Sequence, residues 1–188
     1  LEANTTASNN TAVGYYSLIS NTTGYQNTAV GSTALDANTT GANCTAVGQT
    51  ALGSNTTGNN NTACGRNSLA SNTTGDHNTA VGYQALHGNT ADNNTAVGYN
   101  ALIANTTGTD NVAVGANALD ANTTANNNCG IGKNALGANS TGSENIAIGT
   151  SALLNNTTGT NNVSVGISAL ISNTTASNNT AVGRSALA

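Results

Sequence analysis

Asn78-Thr79-Ala80-Val81-Gly82-Tyr83-Gln84-Ala85-Leu86 is one copy of a unit that recurs along the whole chain. The consensus is N-T-A-V-G-x-x-A-L-x-x-N-T-T-G-x-N, and successive copies are 17 residues apart except at one 16-residue step. Self-similarity at a fixed short period is the signature of a repeat architecture. The glycines that mark the repeat are Gly14, Gly31, Gly48, Gly65, Gly82, Gly98, Gly115, Gly132, Gly149, Gly166 and Gly183.

The segment before each of these glycines predicts a β-strand. Thr or an aliphatic residue, then Ala, then Val or Ile form a short β-branched run with period-2 alternation. The Ala-Leu pair that follows the glycine predicts a second short strand. A helix is disfavoured because Asn, Thr and Gly are poor helix formers. The predicted fold is therefore all-β, a parallel β-solenoid of about eleven 17-residue coils with two short strands per coil, stacked at ~4.8 Å.

Two columns of aliphatic residues are the predicted core, because stacked coils place identical residues on top of one another. The core is expected to be thin, since the chain has no Phe, Trp or Met. The predicted core positions are Val13, Val30, Val47, Val81, Val97, Val114, Leu18, Leu35, Leu52, Leu69, Leu86 and Leu102. The solenoid is expected to be continuous over residues 1–188. It begins and ends within a repeat, as a segment of a longer fibre would.

The N-T-T-G segment is the predicted turn, because the 16-residue repeat is one residue shorter at this point, at Thr90-Ala91. Its asparagine column has two open interpretations. One is a ladder of amide hydrogen bonds between coils, and Asn89 keeps the asparagine although its N-x-S/T pattern is lost. The other is N-glycosylation, for which the pattern is met at Asn4, Asn21, Asn38, Asn55, Asn72, Asn105, Asn122, Asn139, Asn156 and Asn173. Weaker acceptor patterns occur at Asn9, Asn43, Asn60, Asn93, Asn155, Asn162 and Asn178.

Composition argues against several functional classes. Three Lys and Arg and a net charge of −4 do not provide a phosphate-binding surface, so we expect no nucleic acid partner. No apolar run reaches 18 residues, so we expect no membrane span. Cys44, Cys64 and Cys129 lie in three different columns, and the seven acidic residues are expected to form no stacked pair in adjacent coils. We therefore expect no metal, no cofactor, no disulfide and no enzymatic activity.

Several copies resemble the strand motif of trimeric autotransporter adhesin heads, notably Asn145-Ile146-Ala147-Ile148-Gly149 and Asn111-Val112-Ala113-Val114-Gly115. The segment Asn78 to Leu86 is similar to repeats of phage tail-fibre and bacterial surface proteins. The resemblance implies a parallel β-roll in the stalk or head of a surface or virion appendage. It carries over no catalytic residue.

These observations predict a structural or adhesive shaft segment of an extracellular fibre, located on a cell surface, in a secreted filament or in a virion appendage. The expected partners are further copies of the chain, associated end to end or as a homotrimer, and covalent glycans on the Asn-Thr-Thr edge. The alternative is an ice-binding solenoid, or another carbohydrate- or surface-binding one. A flat T-x-T face would favour ice binding, but the strand threonines are interrupted at Val112, Cys129, Ile146 and Val163.

Overall fold

A computed structural model describes residues 2–188 and consists of eleven three-residue strands in a single parallel sheet. Leu1, the first member of the leucine column, lies outside the described residues. Each strand pairs with the next one in the chain, so the sheet order equals the sequence order. The strands are β1 (Thr11–Val13), β2 (Thr28–Val30), β3 (Thr45–Val47), β4 (Thr62–Cys64), β5 (Thr79–Val81), β6 (Thr95–Val97), β7 (Val112–Val114), β8 (Cys129–Ile131), β9 (Ile146–Ile148), β10 (Val163–Val165) and β11 (Thr180–Val182).

Equivalent positions of neighbouring repeats face each other throughout the sheet. Thr28 pairs with Thr45 and Ala29 with Ala46, and the pattern continues across the 16-residue step, where Thr79 pairs with Thr95. This is the stacked-coil β-solenoid that the repeat predicts, and the prediction of the fold class is confirmed. No helix that could cross a membrane occurs among residues 2–188.

Each coil has one strand, so the prediction of a second strand at the Ala-Leu pair is wrong. Leu18 and its equivalents in every later coil have φ between 48° and 54°, which is the left-handed region rather than extended backbone. The two residues therefore do not alternate between faces, and both Ala34 and Leu35 are buried. Hydrogen bonds between coils still continue here, since the Leu35 N–H donates to the Ala51 carbonyl at 3.1 Å.

The interior is made of alanine and leucine, with the asparagines described below. A three-residue strand directs only its central side chain inward, and this residue is alanine in nine coils, among them Ala46 and Ala80. The leucine column from Leu18 to Leu170 lies inside, whereas Leu187 in the last coil is exposed. The valine column does not, and the predicted valine ladder of the core is wrong: Val13, Val30, Val47, Val81 and Val97 are exposed and Val114 is half-buried.

The corner after each strand is glycine in every repeat, and wherever another coil follows, the structure has room for no other residue there. Gly48 has a φ of +137°, and a methyl group added to it would lie 2.6 Å from the Gly65 carbonyl oxygen of the next coil. Any other residue would suffer both an unfavourable backbone conformation and a collision with the neighbouring coil. The close approach of the coils therefore explains why the glycine recurs in every repeat.

Candidate functional site

The outer face of the sheet is formed by the first and third residues of strands β1–β11, which point away from the core. The first column is Thr11, Thr28, Thr45, Thr62, Thr79, Thr95, Val112, Cys129, Ile146, Val163 and Thr180. The third-position column is Val13, Val30, Val47, Cys64, Val81, Val97, Val114, Ile131, Ile148, Val165 and Val182. With ten steps between strands at ~4.8 Å each, the outer face is roughly 48 Å long.

The outer face is uncharged and regular, and its third-position column is apolar beside a first column made mostly of threonine. Val47, Val81, Val97 and Ile148 have exposed fractions between 37% and 39%, so each repeat contributes a similar patch of aliphatic surface. No residue of either column carries a charge. Scattered exposed aliphatic residues are normal on a protein surface, whereas a contiguous apolar patch rimmed by polar residues marks an interaction site. The outer face is therefore the strongest candidate for a binding surface.

The Asn-Thr-Thr column forms the first asparagine ladder, a row of buried amides that runs along the solenoid. The Asn38 Nδ2 donates to the Asn21 Oδ1 at 2.8 Å and to the Gly41 carbonyl at 3.0 Å. Asn55 and Asn122 repeat this arrangement with their own neighbours. Asparagine suits the position because its side chain has one acceptor and one two-hydrogen donor, so identical residues bond to each other.

A sugar does not fit on this ladder. Asn21, Asn38, Asn55, Asn72, Asn89, Asn105, Asn122, Asn139 and Asn156 are fully buried. N-glycosylation replaces a hydrogen of the same Nδ2 that holds the ladder together. Burial therefore favours the ladder over glycosylation at the eight of these side chains that meet the acceptor pattern, since Asn89 lacks it. Asn4 is exposed and Asn173 half-buried, in the outermost coils.

The second asparagine ladder consists of the residue just before each strand, and the sequence interpretation did not single it out. Asn27 donates through Nδ2 to the Gly41 carbonyl at 2.8 Å, and its Oδ1 accepts the backbone N–H of residue 44 at 2.9 Å. Its buried members are Asn27, Asn61, Asn78, Asn94, Asn111, Asn128, Asn145 and Asn162. The signal was present, since asparagine opens the consensus unit as regularly as the Asn-Thr-Thr column recurs.

Cys44 takes the place of an asparagine in the second ladder. Its sulfur lies 3.4 Å from the carbonyls of Ala42 and Gly58, and the Asn61 N–H faces this sulfur where a regular coil has an amide oxygen. Burial raises the pKa of the Cys44 thiol to about 11. The side chain is therefore a protonated thiol in a polar position and a much weaker hydrogen-bond acceptor than asparagine. All three cysteines are free, with Cys64 exposed on the outer face and Cys129 half-buried there.

The acidic residues include one stacked pair, contrary to the sequence expectation. Asp76 and Asp92 occupy the same column of adjacent coils because the 16-residue step lies between them. The Asp92 Oδ1 accepts the Asp76 N–H at 2.8 Å, and the Asp76 Oδ1 accepts the Asn59 N–H at 2.6 Å. In another pair of coils the Asn126 Oδ1 accepts the Thr109 N–H in the same way. The two carboxylates therefore do what a neutral amide does elsewhere, which is to accept a backbone N–H of the neighbouring coil. Among residues 2–188 no group of three or more His, Cys, Asp or Glu is placed to hold a metal ion.

The aromatic residues form two small stacks on the surface. Tyr83 and Tyr99, in consecutive coils, have ring centroids 5.5 Å apart, and the Arg66 guanidinium lies 6.0 Å from the Tyr83 ring centroid. Tyr15 and Tyr16 stack at 4.0 Å. The Tyr83–Tyr99 contact is expected from the sequence, because the two residues occupy the same position of consecutive repeats. The Tyr83–Tyr99 stack therefore links two coils, whereas Tyr15 and Tyr16 stack within one coil.

Comparisons with protein-family models, curated proteins and solved structures found no match to this chain. The features that bear on the function of this chain are therefore its outer face, its two asparagine ladders and its repeat.

Proposed function

We propose that this chain is a shaft segment of an extracellular fibre, in which the outer face is buried by association with further copies of the same chain as a homotrimer. The single observation that carries the proposal is the row of outward Val and Ile side chains at the third position of ten of the eleven strands, with Cys64 in the remaining one. The two buried ladders support a structural role, because they give a long, regular rod with few charges.

A second copy is the partner that fits this surface best. The outer face repeats once per strand, at the strand spacing, over its whole length. A globular partner would match such a periodic surface over a few strands only, whereas another copy has the same period from end to end. The face carries no charge that would repel an identical face. In four coils both outward residues are aliphatic or carry a thiol, which favours a dry contact between chains. The first residues of these strands are Val112, Cys129, Ile146 and Val163.

The oligomeric state tests this proposal directly. We expect sedimentation equilibrium to give three times the chain mass, and the double substitution Val81→Glu with Val97→Glu to give the single-chain mass. The matched control is Thr57→Glu with Thr107→Glu, which adds the same charges at exposed positions of the turn and should leave the trimer intact. A wild-type chain that stays monomeric at every concentration would contradict the proposal.

The arrangement of the copies is tested by Cys64, which is exposed in the third-position column of the outer face. If the copies run parallel and in register, Cys64 lies near its counterpart in the neighbouring chain. In a Cys129→Ala background, which removes the other thiol of the outer face, mild oxidation should then produce a covalent dimer in denaturing gels. Cys64→Ala should abolish it, while Cys44→Ala leaves it because the Cys44 thiol is buried. If the chain is a trimer but no cross-link forms, the copies are not parallel and in register.

Ice binding is the second candidate, and one observation favours it. Thr11, Thr28, Thr45, Thr62, Thr79 and Thr95 form an uninterrupted column of outward hydroxyls on strands β1–β6. The aliphatic first residues of β7, β9 and β10 and the cysteine of β8 interrupt that column, so four of the eleven strands lack it. Thermal hysteresis and ice reshaping by the wild-type chain, lost on Thr45→Leu with Thr62→Leu, would support ice binding instead of the fibre.

A further inference from the structure

Three hydrogen bonds recur between the Asn-Thr-Thr edge of a regular coil and the next coil, and the second threonine often adds a fourth, as from the Thr40 N–H to the Thr56 carbonyl at 3.1 Å. In one pair of neighbours, the Thr39 N–H and the Thr39 Oγ1 both donate to the Thr56 carbonyl at 3.0 Å. The third bond joins the two asparagine amides, as from the Asn55 Nδ2 to the Asn38 Oδ1 at 2.9 Å. The same set recurs between coils on both sides of the 16-residue step, for example from Thr106 to Thr123.

One contact between coils lacks all three bonds, and we name it the seam: Asn72-Thr73 on one side and Asn89-Thr90 on the other. The Asn72 Oδ1 is buried and has no donor in the described chain. Over residues 2–188, neither the Thr73 N–H nor its hydroxyl finds an acceptor, and the Thr90 carbonyl accepts no hydrogen bond. A buried acceptor without a donor is destabilising because it has lost its hydrogen bonds to water and gained none within the protein.

The missing residue of the 16-residue coil is the cause. The Asn89 Nδ2 keeps the bond to its own turn, donating to the Ala91 carbonyl at 2.7 Å, but it makes no bond to the Asn72 Oδ1. The Asn89 Oδ1 accepts from both the Asn94 and the Asn105 Nδ2, at 3.2 and 2.6 Å. Asn89 is thus drawn toward its own coil and the next one, and the first asparagine ladder is broken between Asn72 and Asn89.

The strand side of the same two coils is intact. β5 and β6 pair in register, the Asn94 N–H donates to the Asn78 Oδ1 at 2.9 Å, and the Tyr83–Tyr99 stack bridges the coils. The loss is therefore confined to the Asn-Thr-Thr edge, while the sheet continues across it.

We propose that the seam is the place where the rod opens first, so that the solenoid consists of two rigid segments, one with strands β1–β5 and one with β6–β11, joined along the sheet by a hinge. A repeat protein is stabilised by contacts between nearest neighbours, so the weakest contact between coils determines where it opens. This inference is independent of the fibre proposal, because it concerns contacts within one chain.

Hydrogen exchange read at single-amide resolution tests the hinge. The Asn72 and Asn89 N–H groups donate to Leu69 and Leu86, as the equivalent Asn55 and Asn122 N–H groups donate to Leu52 and Leu119. We expect Asn72 and Asn89 to exchange roughly 5- to 30-fold faster than Asn55 and Asn122, the factor that corresponds to the loss of one or two net hydrogen bonds.

Two length variants serve as the matched pair. Insertion of one threonine between Thr90 and Ala91 creates the N-T-T-A sequence that already occurs at Asn122-Thr123-Thr124-Ala125. It should slow exchange at Asn72 to the rate of Asn55. Deletion of Thr124 creates a second 16-residue coil there and should add fast exchange at Asn105 while Asn72 remains fast. The hinge is overturned if Asn72 exchanges as slowly as Asn55 in the wild type, or if the insertion leaves its rate unchanged.

Discussion

At the scale of single residues, the composition follows from the demand that a side chain bond to a copy of itself. An amide can donate to and accept from an identical amide one coil away and still donate to its own turn carbonyl. An ionised aspartate has no hydrogen to donate, and a serine has only one. The two buried ladders account for the repeated asparagines at the start of the consensus unit and in the N-T-T segment. The asparagines are thus core residues of this protein, although asparagine is usually found at the surface.

Cys44 is the exception that tests this explanation. Cys44→Asn should restore the missing member of the second ladder, since a side chain there reaches the Gly58 carbonyl and faces the Asn61 N–H. We expect the free energy of unfolding to increase by about 1–2 kcal/mol, the value of one or two buried hydrogen bonds. Chemical denaturation is the measurement, with Cys44→Ala as the control that removes the thiol without adding an amide. Equal stability of the two variants would contradict the ladder as a source of stability.

At the scale of one coil, the backbone has four positions with positive φ, and two of them, the glycine corner and the leucine, decide what is buried. The corner after the strand has φ between 126° and 143° in all eleven coils, and the later leucine has φ near 50°. A left-handed leucine costs about 1–2 kcal/mol per residue. The coil accepts this because the conformation turns both Ala34 and Leu35 into the interior, where each is fully buried.

The corner glycines separate the two reasons for glycine. A methyl group at Gly115 would lie 2.6 Å from the Gly132 carbonyl, whereas one at Gly183 would meet nothing closer than the Ala186 Cβ at 3.9 Å. Both have positive φ, at +135° and +126°. Gly115→Ala should therefore destabilise the chain by about 3 kcal/mol or more, from backbone strain plus collision, and Gly183→Ala by about 1–3 kcal/mol, from strain alone. Equal losses in thermal denaturation of the 188-residue chain would show that the close approach of the coils is unimportant.

At the scale of the whole molecule, the rod is stabilised by repetition and hardly at all by charge. Ten ionisable Lys, Arg, Asp and Glu side chains are spread over 188 residues. Two of the acidic ones are held partly away from water: a methyl group on Gly53 would lie 3.4 Å from the Asp36 Oδ1, and Gly137 has the same relation to Asp120. Each carboxylate thus lies over a glycine of the next coil. Burial raises the pKa of both carboxyls, against an opposing effect of backbone hydrogen bonds.

The sign of the resulting pH dependence follows from these two groups. A carboxyl whose pKa is raised in the fold binds more protons when folded, so it favours the folded state below its ordinary pKa of about 4 and that advantage is lost as the pH rises through the folded value. We expect the double variant Asp36→Asn with Asp120→Asn to flatten the fall in stability over this range, as followed by urea denaturation between acid and neutral pH. The exposed Glu144→Gln is the control. A wild type that gains stability over the same range would contradict the assignment.

The sequence by itself determined the repeat length, the stacking of identical residues, the strand before each glycine and the position of the turn. These properties are periodic, and periodicity is visible in one dimension. The tertiary structure decided which way each column points. Val47 and Leu52 look equally suited to a core, yet Leu52 is buried and Val47 lies on the outer face, because a three-residue strand directs only Ala46 inward.

The seam likewise required three dimensions. The sequence places a deletion at Thr90-Ala91, but only the contacts between coils reveal that Asn72 loses its partner while Thr79 keeps its own. The reason is physical: the side to which a column points, and the bonds that an omitted residue breaks, depend on the left-handed turns and on the distance to the next coil.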